Sequence, residues 1–170
     1  MEPDGAGGGL LQMLYDSSVG TAIRESSTLF PWIESLHVLM ITTVVGTIAI
    51  VDLRLMGFAA HRRSARQLTL DMLPFTWVAF VVAVVTGSLL FVSNATGYAE
   101  STPFRLKLVM IALAGLNMGI FHFTAYRKIS DWGEQLPPPV AARIAGFTSL
   151  TLWILVIFLG RWIGYSYPLS

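Results

Sequence analysis

The sequence predicts an all-α protein: an integral membrane four-helix bundle with a short N-terminal surface helix. Three observations predict it. Apolar residues make up 54% of the 170 residues and charged ones only 12%, with a mean hydropathy of +0.65, whereas a soluble domain carries about 25% charged residues. Four apolar stretches each reach the ~20 residues that a bilayer core demands. The segments between them are short, so no soluble domain is expected.

In chain order, residues 1–9 are Gly-rich and expected to be disordered. They place acids where a cleavable signal needs a positive charge, so the spans are expected to serve as their own insertion signals. Residues 10–30 could set Leu10, Leu11, Leu14, Val19 and Ile23 over Asp16, Arg24 and Glu25, a face suited to the membrane surface or to packing on a bundle. This tail and helix form one unit, 1–30. The second unit, 31–170, holds the four spans at about 32–58, 74–93, 104–126 and 144–165. Pro31 suits the first turn of the first span. The last connection carries a Pro-Pro-Pro run at 137–139, after a possible surface segment at 129–136. Gly115 with Gly119, and Gly160 with Gly164, have the spacing that permits close helix contact.

Lys and Arg set the expected orientation. Arg54, Arg62, Arg63, Arg66, Arg127, Lys128 and Arg143 lie toward the first and third loops, against Arg24, Arg105, Lys107 and Arg161 on the opposite side. Seven against four puts both termini outside a bacterial cytoplasmic (inner) membrane.

Composition excludes several chemistries. Cysteine is absent, which removes disulfides, thiolate metal sites, iron–sulfur clusters and covalent haem attachment. Any haem or metal ligand must be His, Met or oxygen. A net charge of +1 without a basic run gives no reason to expect nucleic acid. No phosphate loop, zinc-protease motif or nucleophile elbow is present. The expected partners are the lipid bilayer and other membrane subunits or a second copy of the chain.

The polar residues inside the spans carry what functional information there is, because ionisable groups at membrane depth are costly and face a protein interior or a cavity. They sort into two layers. The outer one holds Glu34, His37, Tyr98, Glu100, Arg105, Lys107 and Arg161; the inner one holds Asp52, Arg54, His61, His122 and Arg127. The levels of His37 and His122 differ by roughly 15 residues, or about 20 Å at ~1.5 Å per residue, so these two cannot ligate one iron. His37 could ligate a haem while Lys107, Arg105 or Arg161 pairs with propionates. Alternatively, His37 bonds a carbonyl on a neighbouring helix and the basic groups reach lipid phosphates. Asp52 with Arg54 or Arg127, completed by His122, reads as a charge pair that fixes helix register, or else as a proton relay through Asp52 and His122. His61 reads as interfacial.

The order WIESLH, Gly46, DLRLMG and His61, then TGSLLF, then PFRLKLVMIALAGLNMGIFHF resembles the four-helix membrane families grouped around the copper-resistance protein CopD and the HemJ-type protoporphyrinogen oxidase, in a branch marked by DLRLMG. The resemblance covers residues 19–126, with His37, Arg54, His61, Gly87, Lys107 and His122 at the matching positions. It implies haem b binding with His37 and Lys107 as important residues, or copper handling at the membrane. The expected function is therefore a b-type haem protein or subunit for electron transfer or porphyrin chemistry. A cofactor-free structural subunit of a larger membrane complex and a copper or proton transporter remain the alternatives.

Overall fold

The computed structural model describes residues 6–58, 63–134 and 137–166. Its helices are α1 (Ala6–Tyr15), α2 (Ser18–Glu25), α3 (Leu29–Met56), α4 (Ala65–Ser93), α5 (Ala95–Glu100) and α6 (Thr102–Phe123). A 3₁₀ turn (Tyr126–Lys128), α7 (Ile129–Trp132) and α8 (Val140–Ser166) follow. No strand occurs among the described residues. The fold is an all-α bundle in which four helical segments, Leu29–Met56, Ala65–Ser93, Thr102–Trp132 and Val140–Tyr165, are long and apolar enough to cross a bilayer. Large apolar side chains such as Val38, Leu39, Val78, Val81, Leu116, Ile120, Ile154 and Phe158 point outward. So wide an apolar surface calls for lipid around it.

Local chemistry sets the helix ends. Ser17, Ser64 and Ser101 cap α2, α4 and α6 by accepting from the N–H groups of Gly20, Gln67 and Phe104. At the end of α3 the N–H of Gly57 returns to Arg54 O and that of Phe58 to Leu53 O. The left-handed residue this closure requires is Gly57, at φ 85°.

The second span begins earlier than Pro74. Helix α4 starts at Ala65 and runs through the proline. Its first turn is held by the Ser64 cap, by a bond from Ala65 N to Gly133 O (2.8 Å), and by burial of Ala65 and Leu68. That support is enough to extend the helix on the N-terminal side of a residue that usually starts one. The N-terminal region differs in a similar way. Helix begins at Ala6, inside the stretch expected to be disordered, and residues 10–30 form two helices rather than one. They break at Asp16–Ser17, where the Ser17 hydroxyl donates to Leu14 O and accepts from Gly20 N. This segment packs on the bundle. Gly20 lets α2 approach the Val92 carbonyl of α4, and Arg24 donates to Ser93 O and to Tyr15 O. The segment expected on the surface after α6 is instead docked, with Ile129 and Trp132 buried.

The four long helices pack in the order α4–α3–α8–α6, while the backbones of α4 and α6 stay apart and meet through the Phe91–Phe104 ring stack at 5.5 Å. The arrangement is an open arc. At mid-height its core draws on all four, with Val44, Ala79, Ala114, Trp153 and Val156 buried together. A second cluster of Leu55, Ala65, Ile129, Trp132 and Ala142 closes one end.

The expected glycine pairs do not mediate helix contact. Gly115, Gly119 and Gly164 have open space where a Cβ would stand, and Gly160 faces the Lys107 side chain. The close approach is made elsewhere. A Cβ on Gly146 of α8 would lie 2.9 Å from Asp52 O and 3.1 Å from Leu55 Cβ of α3. Gly146→Ala should therefore lower the melting temperature in detergent, through an overpacking cost of about 1–3 kcal/mol. Gly164→Ala should hold or raise it, by up to about 1 kcal/mol of helix propensity. Equal melting temperatures for the two variants would contradict the packing described.

Candidate functional site

Polar side chains gather at the two ends of the bundle. At the end where α3 begins, the half-buried His37 faces α4. Its Nδ1 lies 3.0 Å from both Ala83 O and Thr86 Oγ1. The Thr86 hydroxyl donates to Val82 O at 2.8 Å, so its oxygen is left to accept. A carbonyl and an occupied hydroxyl can both only accept, which assigns the proton of neutral His37 to Nδ1 and the lone pair to Nε2. Nε2 has no hydrogen bond among the described residues. Gly87 makes this approach possible, because a Cβ there would sit 2.9 Å from His37 Cε1.

Lys107 of α6 is half-buried, and its ammonium lies close enough for its charge to act on the His37 imidazole. Its Nζ stands over Gly160 of α8, 3.6 Å from where a Cβ would be. No hydrogen bond or ion pair engages Lys107 among the described residues. A free imidazole nitrogen and an unpaired cation thus lie within electrostatic reach of each other.

The other basic groups at this end stand apart. Arg105 is exposed and donates to Glu100 O at 2.9 Å. Arg161 is exposed, with its guanidinium 5.9 Å from the Tyr165 ring centre. Tyr98 of α5 stacks with Phe91 and lies against Phe104. Burial pushes its phenol above the ordinary value, and the nearby Glu34 charge adds to the rise.

At the opposite end the expected charge pair between Asp52 and Arg54 or Arg127 is absent among the described residues, where the one salt bridge joins Arg63 to Asp71. Positions two apart on a helix do not face each other, and Arg127 sits exposed in the turn beyond α6. Arg54 is 1% exposed, the largest of the fully buried side chains. Its Nε donates to Arg63 O at 3.0 Å and its Nη2 to Gly133 O at 2.9 Å. It clamps the α3–α4 connection and the end of α7 through backbone carbonyls. Asp52 lines a cavity shared with Ser149 of α8, and its Oδ2 has no hydrogen-bond partner. His122 does not join either group. It stacks on Tyr126 at 4.8 Å and 16°. Asp52 and His122 nevertheless line one cavity of about 440 Å³ between α3, α4, α6 and α8, together with Asn117 and Ser149. His61 lies outside the described residues.

Sequence reasoning placed His37 and Lys107 at one level and offered a carbonyl on a neighbouring helix as the partner of His37, which is Ala83 O of α4; it gave no such role to Thr86 or Gly87. A hydroxyl beside a glycine in an apolar span is what a ring on a facing helix requires. Ser149 and the Gly133 carbonyl gave no signal, since neither has a distinctive neighbour in the chain. Among the described residues no three His, Cys, Asp or Glu come together as a metal cluster. No family model matches the chain, and there is no match to it among the curated proteins or the solved structures. The functional reading therefore rests on the geometry.

Two outcomes check this geometry. In ¹⁵N NMR of the detergent-solubilised protein at neutral pH, His37 should appear as the Nδ1–H tautomer, and Gly87→Ala should shift it toward a mixture as the ring is driven from Ala83 O. Arg54→Ala should leave the Arg63 carbonyl without its donor and Gly133 O with only that of Ala65, destabilising the fold by on the order of 2 kcal/mol in denaturant titration; a change below a few tenths would rule out the clamp.

Proposed function

We propose that the chain is a small b-type haem protein or haem-bearing subunit of a bacterial inner membrane, serving electron transfer or porphyrin chemistry. The observation that carries this reading is the state of His37. An imidazole whose Nδ1–H is held by a backbone carbonyl keeps its Nε2 lone pair aimed and basic, the usual arrangement of a metal-ligating histidine. The nearby Lys107 ammonium supports the same reading, because an unpaired cation at membrane depth calls for an anionic partner.

The residues fit haem b in their donor chemistry. His37 would supply the axial nitrogen and Lys107 the cation for a propionate, with Arg105 and Arg161 as further cations at that end of the bundle. When bound, haem supplies one-electron chemistry whose potential the ligand and its surroundings tune. The chain's own contribution is to hold the imidazole in one tautomer, to present a fixed positive charge, and to surround the group with apolar helices. The orientation proposed has both termini outside, because Arg63, Arg66, Arg127, Lys128 and Arg143 all belong to the end opposite His37.

Protein produced with ample haem should purify with a Soret band. His37→Ala should abolish the band. Lys107→Ala should keep it while weakening haem retention on dilution or against an apo-globin acceptor. Absence of a band in the unaltered protein would overturn the proposal, and a band unchanged in His37→Ala would remove His37 as the ligand.

A further inference from the structure

The cavity at the Asp52 end has no part in the reading above, and His37 and Lys107 are not among its lining residues. We propose that it is a binding site for a lipid-soluble phenol or hydroquinone ring, entered from the bilayer between α4 and α6. Four observations lead there.

The first is access. Helices α4 and α6 face each other across the cavity with their backbones apart, meeting beyond it through the Phe91–Phe104 ring stack at 5.5 Å, while the other neighbouring spans pack closely. In a bilayer that gap opens sideways onto acyl chains, so the occupant must be soluble in lipid. Gly115 and Gly119 line the α6 wall with open space at their Cβ positions. They widen the gap rather than pack against a helix.

The second is size. About 440 Å³ falls within the roughly 300–1,000 Å³ typical of small-molecule sites.

The third is an unmet acceptor. Asp52 is 4% exposed, lines the cavity, and leaves Oδ2 without a partner. A buried polar atom in that state is costly unless a ligand satisfies it. Asn117 adds a second acceptor, since its Nδ2 donates to Ala145 O at 3.0 Å and its Oδ1 remains available. Both groups ask for a donor. With no second carboxylate and no metal cluster among the described residues, a neutral hydroxyl suits the site better than a cation.

The fourth is the character of the walls. Trp77 and Phe80 meet edge to face, Trp153 is buried, and His122 stacks on Tyr126. Aromatic walls favour a flat ring over a branched alkyl chain.

The test compares 4-decylphenol with its methyl ether, 4-decylanisole, by equilibrium dialysis against the full chain in lipid nanodiscs, with empty nanodiscs subtracted. The phenol should bind saturably at one site, at least tenfold more tightly than the ether. Asp52→Leu should erase that preference. Gly115→Leu should remove saturable binding of both compounds while leaving the melting temperature within a few degrees. Equal binding of phenol and ether to the unaltered protein would overturn the proposal, as would a preference that survives Asp52→Leu or saturable binding that survives Gly115→Leu. If Asp52→Leu does not fold, the two-compound comparison and Gly115→Leu decide alone. A phospholipid retained in native mass spectra of the unaltered protein but lost from Gly115→Leu would assign the cavity to lipid and likewise overturn it.

Discussion

An apolar medium offers a polar side chain no solvent, so each polar group on a membrane-spanning helix must find its partner inside the protein or line a cavity. In this bundle the constraint falls on α3. That helix holds the central place in the arc beside α8, packing on α4 on its other side. Several of its polar groups are met by other elements. His37 meets the Ala83 carbonyl of α4, Thr47 accepts from Thr76 of α4 at 2.8 Å, and Arg54 reaches the Gly133 carbonyl after α7, while Asp52 lines the cavity with Ser149 of α8. These contacts fix the rotation of α3 against its neighbours far more narrowly than its apolar residues could, since Leu, Ile and Val pack on lipid nearly as well as on protein.

Close helix approach follows the same polar contacts rather than the glycine spacing. Gly87 is small because the His37 ring lies on it, and Gly146 is small because the Asp52 turn of α3 lies on it. Gly115 and Gly119 do the opposite and leave space. The structure therefore has a tight side, where α3 meets α4 and α8, and a slack side, where α4 and α6 part. The tight side orients side chains; the slack side admits molecules. The two proposed sites divide along this line, one built on an oriented imidazole and an unpaired ammonium, the other on a lateral opening with an unmet carboxylate.

Both ends are fastened by backbone capture, and the one ion pair among the described residues, Arg63–Asp71, is exposed. Arg24 fastens the N-terminal helices to the Ser93 carbonyl, with its guanidinium 3.9 Å from the Tyr15 ring centre. Arg54 fastens the other end in the same manner. A guanidinium offers five donors in a fixed fork, so it can hold two chain segments where a lysine would hold one.

The sequence by itself determined the all-α class, the four spans and the two levels of polar residues. Those follow from apolar length, from the cost of charge in lipid, and from the constant rise of a helix, all of which are local. It also put His37 and Lys107 at the same depth. It did not determine how the helices turn toward one another, and everything finer depended on that. The Asp52–Arg54 pairing looked reasonable in a linear chain and failed because the two side chains leave the helix on different sides. The start of α4 was misread because its support comes from Ser64 and Gly133, one of them a carbonyl almost 70 residues away in the chain. Only the tertiary structure decided that the histidine's proton sits on Nδ1, that the α6 glycines line a cavity, and that α4 and α6 stand apart. Each depends on which faces meet, and in apolar helices that choice is made by a few polar contacts whose partners the chain supplies from a distance.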